Sequence, residues 1–154
     1  MTLDELVRWI RSNLDEVDVL VASEENGAPE GSWGDVFVNH DVPAGTKVGF
    51  PFATIVTQDQ PDFDDRSRLD RPGAFRVNIQ VGRQRAGELL GVAPGAWDLD
   101  NTDFAEADRL LPHPVYAAQG YISVVNPGEA TSELVLELLQ EAHARSAARL
   151  RPPR

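Results

Sequence analysis

The chain has 154 residues, a formal net charge of −11 and no cysteine. A chain of that length forms one domain and buries roughly two-thirds of its unfolded surface. The missing thiols exclude disulfide frameworks, thiolate zinc sites, iron–sulfur clusters and cysteine nucleophiles, while the acidic field opposes phosphate backbones and anionic membranes.

In chain order, Thr2 and Glu5 form a capping box, and Leu3, Leu6, Val7, Ile10 and Leu14 recur at helical spacing. Residues 17–22 and 33–39, flanking turn-forming residues, predict an antiparallel strand pair. A third strand is expected over 52–57, followed by an acidic irregular stretch over 58–70. Arg71-Pro72-Gly73-Ala74 has the order of a type II turn, with positive φ at Gly73. It launches a fourth strand over 75–81. Residues 83–90 predict a short helix stopped by Gly91.

Residues 92–111 are long and mixed, with a helical turn expected over 103–109. A fifth strand is expected over 121–125. Thr131 is expected to cap a last helix with Leu134, Val135, Leu138, Leu139, Ala142 and Leu150 on one face. These elements predict an α+β fold. It is a single domain over 1–150, with a mainly antiparallel sheet of about five strands and N-terminal and C-terminal helices packed on it. A basic C-terminal tail follows over 151–154, and Arg145 and Arg149 suit a helix C-terminal end.

The N-terminus has no basic segment followed by an apolar one, so no secretory signal is expected. The longest uncharged run, 110–128, carries Pro112, Pro114 and Pro127 and is no transmembrane helix. A cytoplasmic protein is expected.

The chemistry concentrates in two segments, Phe75-Arg76-Val77-Asn78-Ile79-Gln80-Val81 and Leu111-Pro112-His113-Pro114-Val115-Tyr116 with Gln119-Gly120-Tyr121. Alternation places Arg76, Asn78 and Gln80 on one sheet face. That face is either solvated or one wall of a pocket in which Arg76 grips a carboxylate or phosphate. Asp35 is a second candidate partner for Arg76. As a pocket residue linked to solvent, Arg76 would not be needed for packing.

His113, held between two prolines, is either a general acid/base or a pin for the extended arm. Asn78 and Gln119 would orient a bound group by hydrogen bonds, and Tyr121 or Tyr116 would supply an apolar side. His40 and His143 stand at no ligand spacing. Asp59, Asp62, Asp64 and Asp65 lack the glycine and terminal Glu of a calcium loop, so no metal and no cofactor is expected. The serines show no nucleophile elbow, and Gly82-Arg83-Gln84-Arg85-Ala86-Gly87 is no phosphate loop. Trp33, Phe37, Phe50, Phe52 and Tyr116 are expected to fill the core or line the loop-covered face.

On Pro51-Phe52-Ala53-Thr54-Ile55-Val56, Arg68-Leu69-Asp70-Arg71-Pro72-Gly73, the Arg76-x-Asn78 strand, Leu111-Pro112-His113-Pro114-Val115-Tyr116 and Gln119-Gly120, the chain resembles an uncharacterised, mostly actinobacterial family of unknown function. The likeness runs from the first helix to His143. More distantly, its second half resembles the MmcQ/YjbR-like domains. That likeness implies a small α+β fold that has been compared with a double-wing DNA-binding domain, and it transfers no catalytic residue. The acidic charge argues against nucleic acid.

Two functions fit. One is non-catalytic binding of a small ligand, with an anion as the candidate, or of a protein partner, between the polar strand face and the loops at 58–70 and 92–114. The other is a small enzyme using His113 as acid/base with Arg76 as anion anchor. Neither nucleic acid nor membrane is an expected partner, and the sequence leaves the oligomeric state open.

Overall fold

Capping decides where the first helix begins. The Thr2 hydroxyl accepts the Glu5 N–H at 3.1 Å and the Glu5 carboxylate accepts the Thr2 N–H at 3.3 Å, fixing α1 at Leu3–Asn13. The computed structural model describes residues 1–150; the basic tail expected at 151–154 lies outside the described residues. After α1 come β1 (Val17–Val21), β2 (Val36–His40), β3 (Ala53–Val56), β4 (Arg76–Gln80), α2 (Arg83–Leu90), β5 (Leu111–Pro112), β6 (Tyr121–Val125) and α3 (Ser132–Ala147).

The strands form a six-stranded sheet in the order β1-β2-β3-β4-β6-β5, antiparallel at every step. The period-two rule then divides it. Val38, Ile55, Val77, Ile79 and Val124 face α1 and α3 and meet Leu6, Ile10, Leu138 and Leu139 in one core. The opposite face carries Thr54, Asn78 and Ser123 side by side in register, with Arg76 and Tyr121 alongside. That face is covered too, because Arg76 and Asn78 are buried.

The cover is made by the two long loops, and arginines stitch it. Arg66 donates to the carbonyls of Leu99 and Thr102 and lies 4.5 Å above the Phe104 ring. Arg71 donates to the carbonyls of Arg68, Ser67 and Ala105. These arginines bind backbone oxygens and a ring rather than the neighbouring carboxylates.

Several expectations are corrected. The arm at Leu111–Pro112 pairs with Ser123 and Ile122, adding a sixth strand. Residues 103–109 form no helical turn. Asp108 stands there at φ 57°, and its N–H reaches the Val125 carbonyl. Its carboxylate accepts the N–H groups of Gly128, Ala130 and Thr131 and the Thr131 hydroxyl. Thr131 holds the N-cap position of α3 but donates its hydroxyl to Asp108, so Asp108 pins the turn at 128–131 that leads into the helix. These bonds bring the Asp108 carboxyl down to about 2. Leu150 falls beyond the end of α3.

Gly73 has φ 73°, as its turn requires. Gly120 has φ 86° and presses on the start of α2, where a Cβ would lie 2.6 Å from the Gly82 backbone.

Candidate functional site

A cleft of about 540 Å³ opens on the sheet face away from α1 and α3. β2, β3, β4 and β6 supply its floor, including Phe37, Thr54, Asn78 and Tyr121, and loops supply Phe50, Phe63 and Tyr116 as walls. Phe50 is 82% exposed and Phe63 58%, so these rings stand at the rim instead of filling the core. The Tyr121 hydroxyl donates to the Pro51 carbonyl at 2.7 Å, and burial pushes the phenol up to about 12.

Of the residues the sequence pointed to, Asn78, His113, Gln119 and Tyr121 line this cleft. Gln80 shares the sheet face but lies beside Asn39 and Lys47, outside the cleft. Arg76 lies beneath the floor, 0% exposed. Its Nε donates to Asn78 Oδ1 at 2.8 Å, and its Nη1 to Asp64 Oδ1 at 2.9 Å and Ser67 Oγ at 2.8 Å. Nη2 donates to Asp64 Oδ2 at 2.6 Å. The two-pronged pair with Asp64 is the geometry that binds carboxylates most strongly. Burial pushes the Asp64 carboxyl up, but the hydrogen bonds and charge of Arg76 outweigh it and hold the group below the usual carboxylate range.

The partner of Arg76 is therefore Asp64, which the sequence offered only as a rejected metal ligand. Asp35 goes elsewhere: its Oδ1 accepts the Thr57 N–H and hydroxyl, at 2.7 and 3.0 Å. The Arg76–Asp64 pairing links residues across a loop that has no periodicity to read, so only the surplus of acidic residues hinted at it.

His113 and Arg76, thirty-seven positions apart, do come together, with Nε2 3.4 Å from Nη2. The contact is not a hydrogen bond. His113 Nδ1 accepts the N–H groups of Val115 and Tyr116, both at 2.9 Å, so it carries no proton. The neutral ring must then be protonated at Nε2, and a guanidinium can only donate. Burial, and after it the Arg76 charge, brings the imidazole down to about 3. His113 is thus a neutral N–H donor at neutral pH.

The other two histidines are adjacent although their spacing gave no sign of it. Their ring centres lie 4.9 Å apart, His40 in contact with Ser146 Oγ at 2.7 Å and His143 donating to the Asp15 carbonyl at 2.7 Å. Among the described residues no group of three or more His, Asp or Glu side chains is placed to hold a metal ion, and no helix is long and apolar enough to cross a membrane.

A family model described as "Family of unknown function (DUF6194)" matches residues 1–153, and the chain belongs to that family. No curated protein and no solved structure matches the chain.

Proposed function

Working from that family membership, we propose that the protein is a small cytoplasmic binding domain whose cleft takes a small organic molecule without transforming it. The observation that carries this reading is the combination of aromatic walls with a floor of a few inward polar groups. Such a lining is typical of ligand sites, and 540 Å³ suits a metabolite. The catalytic alternative is less well supported. A ring held at about 3 is almost wholly neutral at pH 7, and its remaining nitrogen already carries the proton. Arg76 is committed to Asp64 and cannot serve as an open anion anchor.

The charge of the ligand is revised accordingly. No arginine or lysine is on the cleft lining, and with Asp64 balanced by Arg76 the unbalanced charged side chain there is Asp35, so an anion is disfavoured and a neutral or cationic molecule preferred. The actinobacterial and MmcQ/YjbR-like relationships remain part of this proposal, without the DNA-binding role of the double-wing comparison.

The test is a thermal-shift screen of the wild-type protein against neutral, cationic and anionic metabolites, repeated on Gln119→Trp. Gln119 is an exposed lining residue, so the indole would fill the cleft without disturbing packing. A ligand at a hundredfold excess over Kd adds about 2.7 kcal/mol of stability. The expected result is stabilisation of the wild type that Gln119→Trp abolishes; equal shifts in both proteins would place binding elsewhere.

A further inference from the structure

Two residues on the cleft lining, Asp35 and His113, each keep a polar atom that no described residue pairs, and the two atoms differ in kind. Asp35 is 3% exposed and lines the cleft. Both of its side-chain hydrogen bonds go to Oδ1, which leaves Oδ2 without a donor. His113 is 4% exposed and also lines the cleft. Its Nε2–H has no acceptor: Nη2 of Arg76 is itself a donor, and no carboxylate oxygen forms an ion pair with the ring. Neither is a sealed orphan, since the buried side-chain atom without a partner among the described residues is Thr46 Oγ1, so the free Asp35 oxygen is open for a ligand to reach. An acceptor oxygen and an N–H donor without protein partners, carried by two residues that line one cleft, describe the complement of a ligand.

We propose that the cleft recognises an organic amine, its ammonium group donating to Asp35 Oδ2, an acceptor oxygen of the same molecule receiving the His113 Nε2–H, and its apolar body lying against Phe50, Phe63 and Tyr116. This rests on the reading of the cleft as a small-molecule site. Two features favour a cation over a neutral donor. Exposed aromatic faces attract cations, and the whole chain is strongly acidic, whereas the Asp64 charge is already balanced by Arg76. Burial pushes the Asp35 carboxyl up, ahead of the opposing bonds from Thr57, and an ammonium group beside it would offset that desolvation. An anionic ligand would instead bring a second unbalanced negative charge beside Asp35.

Isothermal titration with four probes separates the parts. Tyramine has the ammonium and the oxygen, phenethylamine lacks the oxygen, 4-ethylphenol lacks the ammonium, and 4-hydroxyphenylacetate replaces it with a carboxylate. The expected order is tyramine tightest, by tenfold or more over phenethylamine and over 4-ethylphenol, with the acid weakest. Asp35→Asn keeps an oxygen for Thr57 and should erase the advantage of tyramine over 4-ethylphenol. A cooperative urea transition checks that the variant is folded.

If Asp35→Asn does not fold, the wild-type ranking of tyramine against the acid decides alone, and Phe63→Ala, at an exposed rim position, should weaken all binding probes. Binding of 4-ethylphenol or the acid as tightly as tyramine would overturn the amine proposal and leave the cleft reading intact. Failure of all four probes, together with an empty thermal-shift screen, would overturn both.

Discussion

Arg76 shows how far one side chain can commit a fold. It is fully buried, its charge is matched by Asp64, and Asn78 and Ser67 close the rest of its fork. Replacing such a pair by apolar groups can be neutral, but removing one partner leaves a buried charge and costs about 3–5 kcal/mol. Arg76→Ala is therefore expected to lower urea stability by about 3–5 kcal/mol, and Arg76→Lys to recover little, since an ammonium cannot span both Asp64 oxygens. A loss below about 1 kcal/mol would mean that the guanidinium is not locked in place. The expectation of a solvent-linked arginine failed because alternation fixes a face but not what covers it.

His113 gives a second test at the same scale. Its folded value of about 3 lies below the ordinary 6.5, so the unfolded chain takes up its proton first as pH falls. The associated stability is complete above pH 6.5 and drains away toward pH 3. His113→Asn should flatten the decline of the urea midpoint between pH 6.5 and 4.5, above the range in which Asp64 and Asp108 titrate. An undiminished decline would contradict the neutral ring. His40, also lowered by burial, contributes with the same sign and stays in both proteins.

Among the elements, α3 depends on a residue outside it. Asp108 gathers three backbone N–H groups and a hydroxyl at the helix start, so Asp108→Ala should lower the melting temperature at pH 7, and Thr131→Ala should do so by less. Equal effects would reduce the role of Asp108 to its bond with the Thr131 hydroxyl. Because the Asp108 value is depressed, from 3.8 to about 2, this contribution holds above pH 3.8 and fades below it. At the β5–β6 turn, Gly120→Ala combines strain at positive φ with a Cβ 2.6 Å from backbone atoms, which should cost about 2–4 kcal/mol. A variant as stable as the wild type by urea melting would show that the α2 start can retreat.

Elements whose signals are local were readable: the capping box of α1, the Gly91 stop of α2 with its left-handed φ of 78°, and the alternation of β4. What escaped is made by distance. β5 has two residues and exists only because Ser123 and Ile122 lie beside it. Asp108 pins the turn entering a helix more than twenty positions away, and Asp64 meets Arg76 out of an irregular loop. The candidate site was legible to the same extent. Strand alternation and the proline-held arm pointed to Asn78, His113, Gln119 and Tyr121 together, whereas the tautomer of His113 and the free oxygen of Asp35 depend on backbone groups that no pattern reveals.

For the whole molecule, one sheet separates two kinds of interior. The helix side is an apolar core, and the loop side holds a buried ion pair beneath an aromatic cleft. With a charge of −11, duplex DNA is expected to show no salt-sensitive association at physiological ionic strength, and a micromolar gel shift would restore the double-wing comparison. The claim on which the rest depends is that the loop-side cleft binds a small molecule. Amide chemical-shift mapping during titration with tyramine tests it most directly. The account predicts saturable shifts confined to the cleft, at Asp35, Thr54, Phe63, Tyr116 and Gln119, with α1 and α3 unmoved. Shifts absent at these positions, or spread along the helices, would contradict it.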